Sequence, residues 1–584
     1  MFVTSGEFIA ERHANLLAER DELLVERARL LQERDAATHE RDEYKKLYVM
    51  TRNAYELAKL GILEQKAERL PKNDDQLSLA ILAMALGSEE AVTAESDVTA
   101  DAPPDEESVT IPEHQRKKSK RLPFPEHLPR VTIELLPPEV QLEGLNAFRL
   151  IGSEEREVLE RRPASHFVVR LVRKKFVRKP VVTELTESAE AVVAGASEVH
   201  DGEQQSVEYE VEAAPVPTNA ACKVLIAELP ELPILRGRAG PGMLAATIVY
   251  RWQDHMPLHR QQAFYAREGL ALAKSTLCDW HLELAELVSP VVEAMKKDAL
   301  AQPVLMTDAT GVLVQDSPRC KRGHFWVLVA PDKHVLFEFS QRHTKGAVSD
   351  LLAGYTGYLV ADAHPIYDHL YGDGLVTEVG CWSHCRRYFI KAVASEPERA
   401  KAALVPITAL FAIERTIAGA PRHKKEATRK KKSKPLVDQF FAWCQVEQHR
   451  VLDESPIEKA ISYALNHEQA FRRFLEDGRL PMHNNASELA LRRQAIGRKN
   501  WLFVASEDGA RANTTFVSLL ASCQLHGLEP WSYLRDLFCL LPSWPVHRAL
   551  DLAPAYWHQT MQQEDTQQRL DANVFRRALL ELDS

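Results

Sequence analysis

No cysteine precedes position 222 in this 584-residue chain, and the eight present (222, 278, 320, 381, 385, 444, 523 and 539) are scattered. That usage argues against a disulfide framework. Long apolar runs are missing as well. With no stretch of about 18 uninterrupted apolar residues, a membrane span is not expected. The opening MFVTSGEFIAERHANLL is interrupted by charge before an apolar signal core can form, so the expected compartment is the cytoplasm. Two segments lack basic residues altogether. Residues 88–112 hold eight Asp or Glu, and residues 181–222 hold nine, with no Lys or Arg in either. Both are rich in Ala, Ser, Thr and Val and read as solvated acidic linkers. The formal net charge of -10 therefore belongs to the spacers: without these 17 acids, 66 acidic residues face 73 basic ones. A chain of this length is expected to form several folded units.

What is present begins with a repeat. Ile9, Leu16, Leu23, Leu30, Ala37 and Tyr44 stand seven residues apart, and Glu-Arg pairs at 19–20, 26–27, 33–34 and 40–41 keep the same period. This is the pattern of a coiled-coil seam flanked by charge, suited to homo-oligomerisation; a single amphipathic helix packed on its own chain has the same spacing. A basic cluster follows at Arg116, Lys117, Lys118, Lys120 and Arg121, ahead of a compact stretch over 129–183. In HFVVRLVRKKFVRKP, apolar residues alternate with Arg and Lys, which predicts a strand or hairpin with one apolar and one cationic face. Arg173, Lys174 and Lys175 are its candidate phosphate contacts, a solvated surface being the alternative.

From 240 to 300 the period turns helical. GPGMLAATIVYRWQDH follows a Gly-Pro-Gly break, and LHRQQAFYAREGLALAKSTLCDWHLELAELV reads as helix, Gly269 turn, helix. Such a pair fits a helix-turn-helix with Ser275 and Thr276 opening the helix that reads DNA, or plain helix packing.

Between 303 and 363 strand periods take over: PVLMTDATGVLV, GHFWVLVAP, HVLFEFSQ, a helix over 345–352, then GYLVADAH. This order resembles the start of an RNase H-like fold, in which the first and fourth strands are neighbours. Asp308 would end the core of the first and Asp362 would end the fourth, so both carboxylates would meet at one sheet edge. Strand-end aspartates also serve turns. Two-metal phosphoryl chemistry needs further anionic ligands, and Glu488 in HNNASELALRRQAIGRKNWLF offers one, in the first turn of a helix that Asn484 or Asn485 can cap. An acid there also simply complements the helix dipole.

At this point the chain resembles the insertion-sequence sixty-six family of DDE transposases. The matching motifs run in order: LAKLGILEQKAERLP near 57, LPRVTIELLP at 128, IGSEEREVLERRPASHFVVRLVRKKF at 151, AGPGMLAATIVYRWQDHMPLHRQQAFYAREGLALAKSTLCDW at 239, TDAT at 307, GYLVADAHPIYDHLY at 357, CWSHCRRYF at 381, NNASELALRRQAIGRKNWLF at 484 and SLLASCQLHGLEPWSYLRDL at 518. The resemblance implies a catalytic and metal-binding triad of Asp308, Asp362 and Glu488, using Mg²⁺ or Mn²⁺ on DNA. A helical insertion at about 382–478 would separate the second and third members, which stand 126 residues apart. Arg492, Arg493, Arg498 and Lys499, close to Glu488, become candidate DNA contacts. The implied partners are transposon terminal inverted repeats, target DNA and further copies of the chain, with accessory proteins encoded beside it as another candidate class, and no membrane. In a bacterial cytoplasm a DNA-bound form would associate with the nucleoid.

Two departures limit the resemblance. The family's small zinc-binding domain would fall at 129–183, which holds no cysteine, with Arg178 near an expected ligand, so no zinc is expected. His483 and Ala309 stand where the family usually carries acids. In CWSHC, Cys381, His384 and Cys385 lie close together, but four zinc ligands do not assemble at recognisable spacing, and packing is the expected role, with Arg386 and Arg387 facing DNA or an acidic neighbour. The expected architecture is an α/β RNase H-like core within a multidomain chain. It comprises a coiled-coil or helical oligomerisation region (1–85), an acidic then basic linker (86–128), a degenerate zinc-finger-like basic domain (129–183), an acidic linker (184–217), a helical, helix-turn-helix-like DNA-binding region (218–300), a catalytic domain (301–510) and a C-terminal helical domain (511–584). The expected activity is cleavage at transposon ends and strand transfer. A catalytically silent DNA-binding oligomer, and an RNase H-like nuclease without strand transfer, are the alternatives.

Overall fold

In the computed structural model, residues 123–162, 165–179, 223–316 and 319–583 are described, with a few helical positions between 20 and 34. The heptad seam, both acidic segments and the basic cluster at 116–121 lie outside the described residues.

The first sheet is built on a long hairpin. β2 (Phe148–Arg162) and β3 (Ser165–Arg178) pair antiparallel along their whole length, β1 (Arg130–Leu135) joins β3 in parallel, and the short β4 (Leu225–Ile226) pairs antiparallel with the far end of β3. The expected division of β3 into an apolar and a cationic face is not what forms. Phe167, Val168 and Val169 are consecutive and all buried. Val168 points into the main core, whereas Phe167 and Val169 pack with Phe575, Ala578 and Leu579 near the C-terminus. Both faces of that half are covered, so the strand reads as a continuous apolar run there.

The Gly-Pro-Gly break has a packing reason. Helix α1 (Pro241–Ile248) starts against the fully buried Glu160 of β2, whose Oε1 accepts the backbone N–H groups of Met243 at 2.7 Å and Arg161 at 2.8 Å. A Cβ on Gly240 or Gly242 would collide with that carboxylate, so only glycine fits at either position. Burial pushes the Glu160 carboxyl up to about 8 against the pull of those hydrogen bonds.

Helices α2 (Leu258–Arg267) and α3 (Lys274–Leu300) are joined through Gly269, whose φ of 78° supplies the left-handed turn. The cap of α3 is Ala273, so Ser275 and Thr276 lie inside its first turn. This 27-residue helix buries Leu277, Leu284, Val288, Val291, Met295 and Ala299 in the same hydrophobic cluster as the second sheet. The long helix of the 218–300 segment and the second sheet share one core.

The second sheet contains β5 (Val304–Asp316), β6 (Arg319–Ala330), β7 (His334–Ser340), β8 (Gly357–Ala361) and β9 (Val376–Gly380), in the order β7-β6-β5-β8-β9. The β5–β6 and β6–β7 pairs are antiparallel; β5–β8 and β8–β9 are parallel. Helix α4 (Lys345–Leu351), capped by Thr344, makes the crossover from β7 to β8. From β9 the chain passes into helices, including α5 (Trp382–Ala392), α6 (Pro397–Thr416), α7 (Lys434–Glu447) and α8 (Pro456–Asn466). They gather around Trp382, which packs on Phe440, Phe441, Phe471 and Phe474 and donates to the Phe471 carbonyl at 3.0 Å.

The chain then returns to the sheet through α9 (Asn485–Trp501), which lies against β5 and β6, and α10 (Glu507–Leu525), which covers β7. Ser518 and Ser522, one turn apart on α10, accept the backbone N–H groups of Phe337 at 2.8 Å and Val335 at 3.0 Å. An edge strand that would otherwise offer unpaired amides is satisfied from within the chain. Helix α10 spans residue 510 and belongs to the same core, which continues to Leu570.

Candidate active site

Sheet register brings the two aspartates together. β5 and β8 pair in parallel with Met306 opposite Val360, so Asp308 and Asp362, each two residues further on, leave the same end of adjacent strands on the same side. Past Asp308, β5 continues to Asp316, because its pairing with β6 outlasts its pairing with β8. Asp308 accepts its neighbour Ala309 N–H at 2.7 Å, and Asp362 accepts the His364 N–H at 3.2 Å. Between Asp362 and His364, Ala363 sits at φ 57°, a left-handed conformation that costs a residue with a Cβ on the order of 1 kcal/mol.

Glu488 arrives on α9 through a set of side-chain ties. Asn484 does not cap α9 with its side chain. Instead its Nδ2 donates to the Thr307 carbonyl at 2.8 Å, joining the start of α9 to the residue before Asp308. Its backbone N–H donates to Cys381 Sγ at 3.1 Å, and Ser383 Oγ donates to Asn485 Oδ1 at 2.9 Å, anchoring the same turn to α5. One turn of α5 further on, the Arg387 guanidinium donates to Glu488 Oε1. The acidic neighbour expected for the CWSHCRR segment is therefore Glu488. His384 Nε2 lies 3.7 Å from the same oxygen, but burial first, and then Arg387 and Lys391, hold its imidazole near 3, so this contact is with a neutral ring and not an ion pair.

The three carboxylates feel one another. Burial raises the Asp308 carboxyl to about 7, and the negative charges of Asp362 and then Glu488 push the same way, opposed by the Ala309 N–H and Arg387. Tyr367 beneath them is buried, and burial, Asp362 and Asp308 together drive its phenol well upward, so it stays a neutral hydroxyl. Tyr463 Oη of α8 donates to the Asp362 backbone carbonyl at 3.1 Å. Tyr367, Tyr463 and His384 were not singled out by sequence reasoning as parts of this site. Tyr367 carried a local signal, following Asp362 in DAHPIYDHLY; Tyr463, 101 residues away, carried none.

Among the described residues no three His, Cys, Asp or Glu side chains are clustered as a ready metal-binding group. The donor chemistry around Asp308 is that of hard oxygen ligands: the carboxylates of Asp362 and Glu488 lie near enough to raise it, with Arg387 the opposing charge. The CWSHC thiols do not offer such a site. Burial raises Cys381 to about 11 and Cys385 further, keeping both protonated.

The expected DNA contacts divide by environment. Arg492 and Lys499 are exposed on α9. Arg493 and Arg498 face the protein: Arg493 donates to Gln253 and Gln524, and Arg498 to Thr310 and the Gly311 carbonyl. Arg173, Lys174 and Lys175 are each paired, Arg173 and Lys175 with Glu154 and Lys174 with Glu134 across the strands. Ser275 is exposed and Thr276 partly so at the start of α3.

A family model described as "Transposase IS66 family" matches residues 236–512, a span holding all three carboxylates. A second, described as "Transposase C of IS166 homeodomain", matches residues 65–133. Among curated relatives, the Uncharacterized protein y4hP of Sinorhizobium fredii (strain NBRC 101917 / NGR234) is 28% identical over 522 residues, covering 84% of this chain and 86% of its own. From the same organism, the Uncharacterized protein y4qI is 29% identical over 334 residues, 53% of this chain and 61% of its own. Over residues 236–512, which carry the motifs at 239, 307, 357, 381 and 484, the chain is similar to the IS66 family of transposases.

Proposed function

We propose that this protein is a DDE-type DNA transposase with an RNase H-like catalytic core, cutting at the ends of its element and joining the freed 3′-hydroxyl to target DNA. The observation that carries the reading is the nearness of Asp362, on the adjacent strand, and Glu488, on a helix, to Asp308, close enough that both charges raise its carboxyl. The β7-β6-β5-β8-β9 order, antiparallel in its first three strands and parallel in its last two pairings, supports the fold assignment.

Asp308, Asp362 and Glu488 are the residues that hold divalent cations, Mg²⁺ or Mn²⁺. Such ions supply the Lewis acidity that polarises a phosphodiester and lowers the pKa of an attacking hydroxyl. The chain's own part is placement and charge. The β5–β8 register fixes two carboxylates, and the Asn484, Ser383 and Arg387 ties fix the third. Tyr367 contributes no charge. Arg492 and Lys499, exposed on the helix that carries Glu488, meet phosphates beside the cut.

Full-length protein with Mg²⁺ or Mn²⁺ and labelled duplexes of the element's terminal repeats will give nicks at the 3′ ends and strand-transfer products, and Glu488→Gln will give neither. Nicking that persists in Glu488→Gln overturns the assignment of that residue. Ends bound but never cut by the wild type would identify a silent DNA-binding protein, and cutting without joining a nuclease.

A further inference from the structure

Beside the carboxylates lies a cavity that the chemistry above does not use. It has a volume of about 440 Å³ and is walled by α5, α6, the helix Arg422–Thr428 and the segment leading into α9. Two rings line it. Phe411 and His483 stack with planes 7° apart and centroids at 5.7 Å, and the Arg386 guanidinium carbon lies 5.5 Å from the Phe411 centroid. Arg415 and Lys425 line it too, and the acid in the lining, Glu414, accepts two hydrogen bonds from the buried Arg429 at 2.9 and 2.6 Å. Flat aromatic faces and an excess of positive charge therefore share one space, of a size within the ~300–1,000 Å³ of small-ligand sites.

That combination matches a nucleotide. A base presents a π face that stacks on a ring whatever its sequence, and its phosphate seeks guanidinium and ammonium groups. The position matches as well. Asn485 lines the cavity three residues before Glu488, and Asn484 between the platform residue His483 and Asn485 is tied to the strand of Asp308. His483 is also the residue that stands where the resembled family usually carries an acid, so in this chain an aromatic face replaces a negative charge at the mouth.

We propose that the cavity receives one unpaired nucleotide of the DNA strand being cut, its base on the His483–Phe411 platform and its phosphate among Arg386, Arg415 and Lys425. The proposal rests on the transposase reading. An enzyme that takes a base out of the stack loses pairing and stacking within the duplex, and a ring platform returns part of that loss.

The test uses full-length protein and duplexes of the element's terminal repeat, carrying 2-aminopurine at each of the last positions in turn, with Ca²⁺ during binding and Mg²⁺ during cutting. The wild type will raise the emission at one position as that base leaves the duplex. Phe411→Ala and His483→Ala will lose the rise and cut ends about 5- to 150-fold more slowly, the range expected for one base–ring stack. A mismatch at that position will recover much of the lost rate, because the base starts unpaired. Phe411→Tyr keeps a ring and will keep both signals. Arg415→Ala, at an exposed position, will weaken end binding without unfolding the chain. Unchanged emission and cutting in alanine variants that melt with the wild type overturns the pocket alone. Wild-type protein that neither binds nor cuts ends overturns the transposase reading, and the pocket with it.

Discussion

The two halves of the carboxylate site are held in different ways. Asp308 and Asp362 are carried by neighbouring parallel strands, and their spacing follows from backbone register. Glu488 is carried by a helix that reaches the sheet after 126 further residues, and its place depends on a handful of side chains: Asn484 on Thr307, Ser383 on Asn485, Arg387 on Glu488. A register is shared among many hydrogen bonds and cannot slip by one residue without turning the whole strand over. The helix packs on β5 and β6 and buries Leu491, but the turn that carries Glu488 is held by single side-chain ties, each open to removal one residue at a time. The difference teaches that the sheet half of the site is coupled to folding, whereas the helix half can be loosened while the fold survives.

Four measurements press on that contrast. Asp308→Asn keeps shape and register and removes one anionic ligand. It is expected to lower end cutting by about a thousandfold or more, as several kcal/mol of metal-assisted stabilisation are lost, with the secondary structure intact by circular dichroism. Asn484→Ala cuts the tie between α9 and β5 and leaves the buried Thr307 carbonyl without that partner. The expected cost is about 1–3 kcal/mol of stability by chemical denaturation and a slowing of cutting by about 10- to 100-fold, with Asp308 and Asp362 unmoved. Equal cutting by this variant would break the comparison.

A third measurement concerns the hairpin, where a buried carboxylate is built into the fold itself. Glu160 titrates near 8 in the folded protein against 4.5 when exposed, so its folded state keeps a proton that the unfolded chain releases. Stability on its account is full below about pH 4.5, falls as the pH rises toward 8 and is level above. Glu160→Gln cannot ionise and should flatten the fall in thermal midpoint between about pH 5 and 8; an unaltered slope would show that other groups set it. The smallest effect separates two neighbours on α9. Arg492→Ala, exposed, should weaken end binding and reduce its salt slope by roughly one, whereas Arg493→Ala, bonded to Gln253 and Gln524, should lower stability and leave the slope alone.

Much of the frame was legible. Period-two runs with β-branched and aromatic residues announce β5, β6, β7 and β8, and the Gly269 turn between two helical periods announces α2 and α3. Acids at the ends of such runs mark Asp308 and Asp362 as worth pairing. Glu488 had no such local sign, since an acid in a first helical turn is commonplace; only the family motif singled it out. The basic stretch at 173–175 shows a related limit. Its alternation suggested a cationic face, but the acids that answer it, Glu134 and Glu154, sit on other strands and become neighbours only through register. Arg493 and Arg498 were likewise indistinguishable from Arg492 until the helix was laid against its neighbours.

The amino-acid sequence by itself determined the elements and the glycines, because side-chain period, turn chemistry and the absence of a Cβ act within a few residues of themselves. Which charge meets which was decided by tertiary structure alone. Arg387 and Glu488 stand 101 residues apart, Asn484 and Thr307 stand 177 apart, and Phe411 and His483 become one platform only when α6 folds back beside the start of α9. Coulombic and stacking forces act over a few ångströms, so the partners of a residue are set by the packing that brings distant segments within that reach.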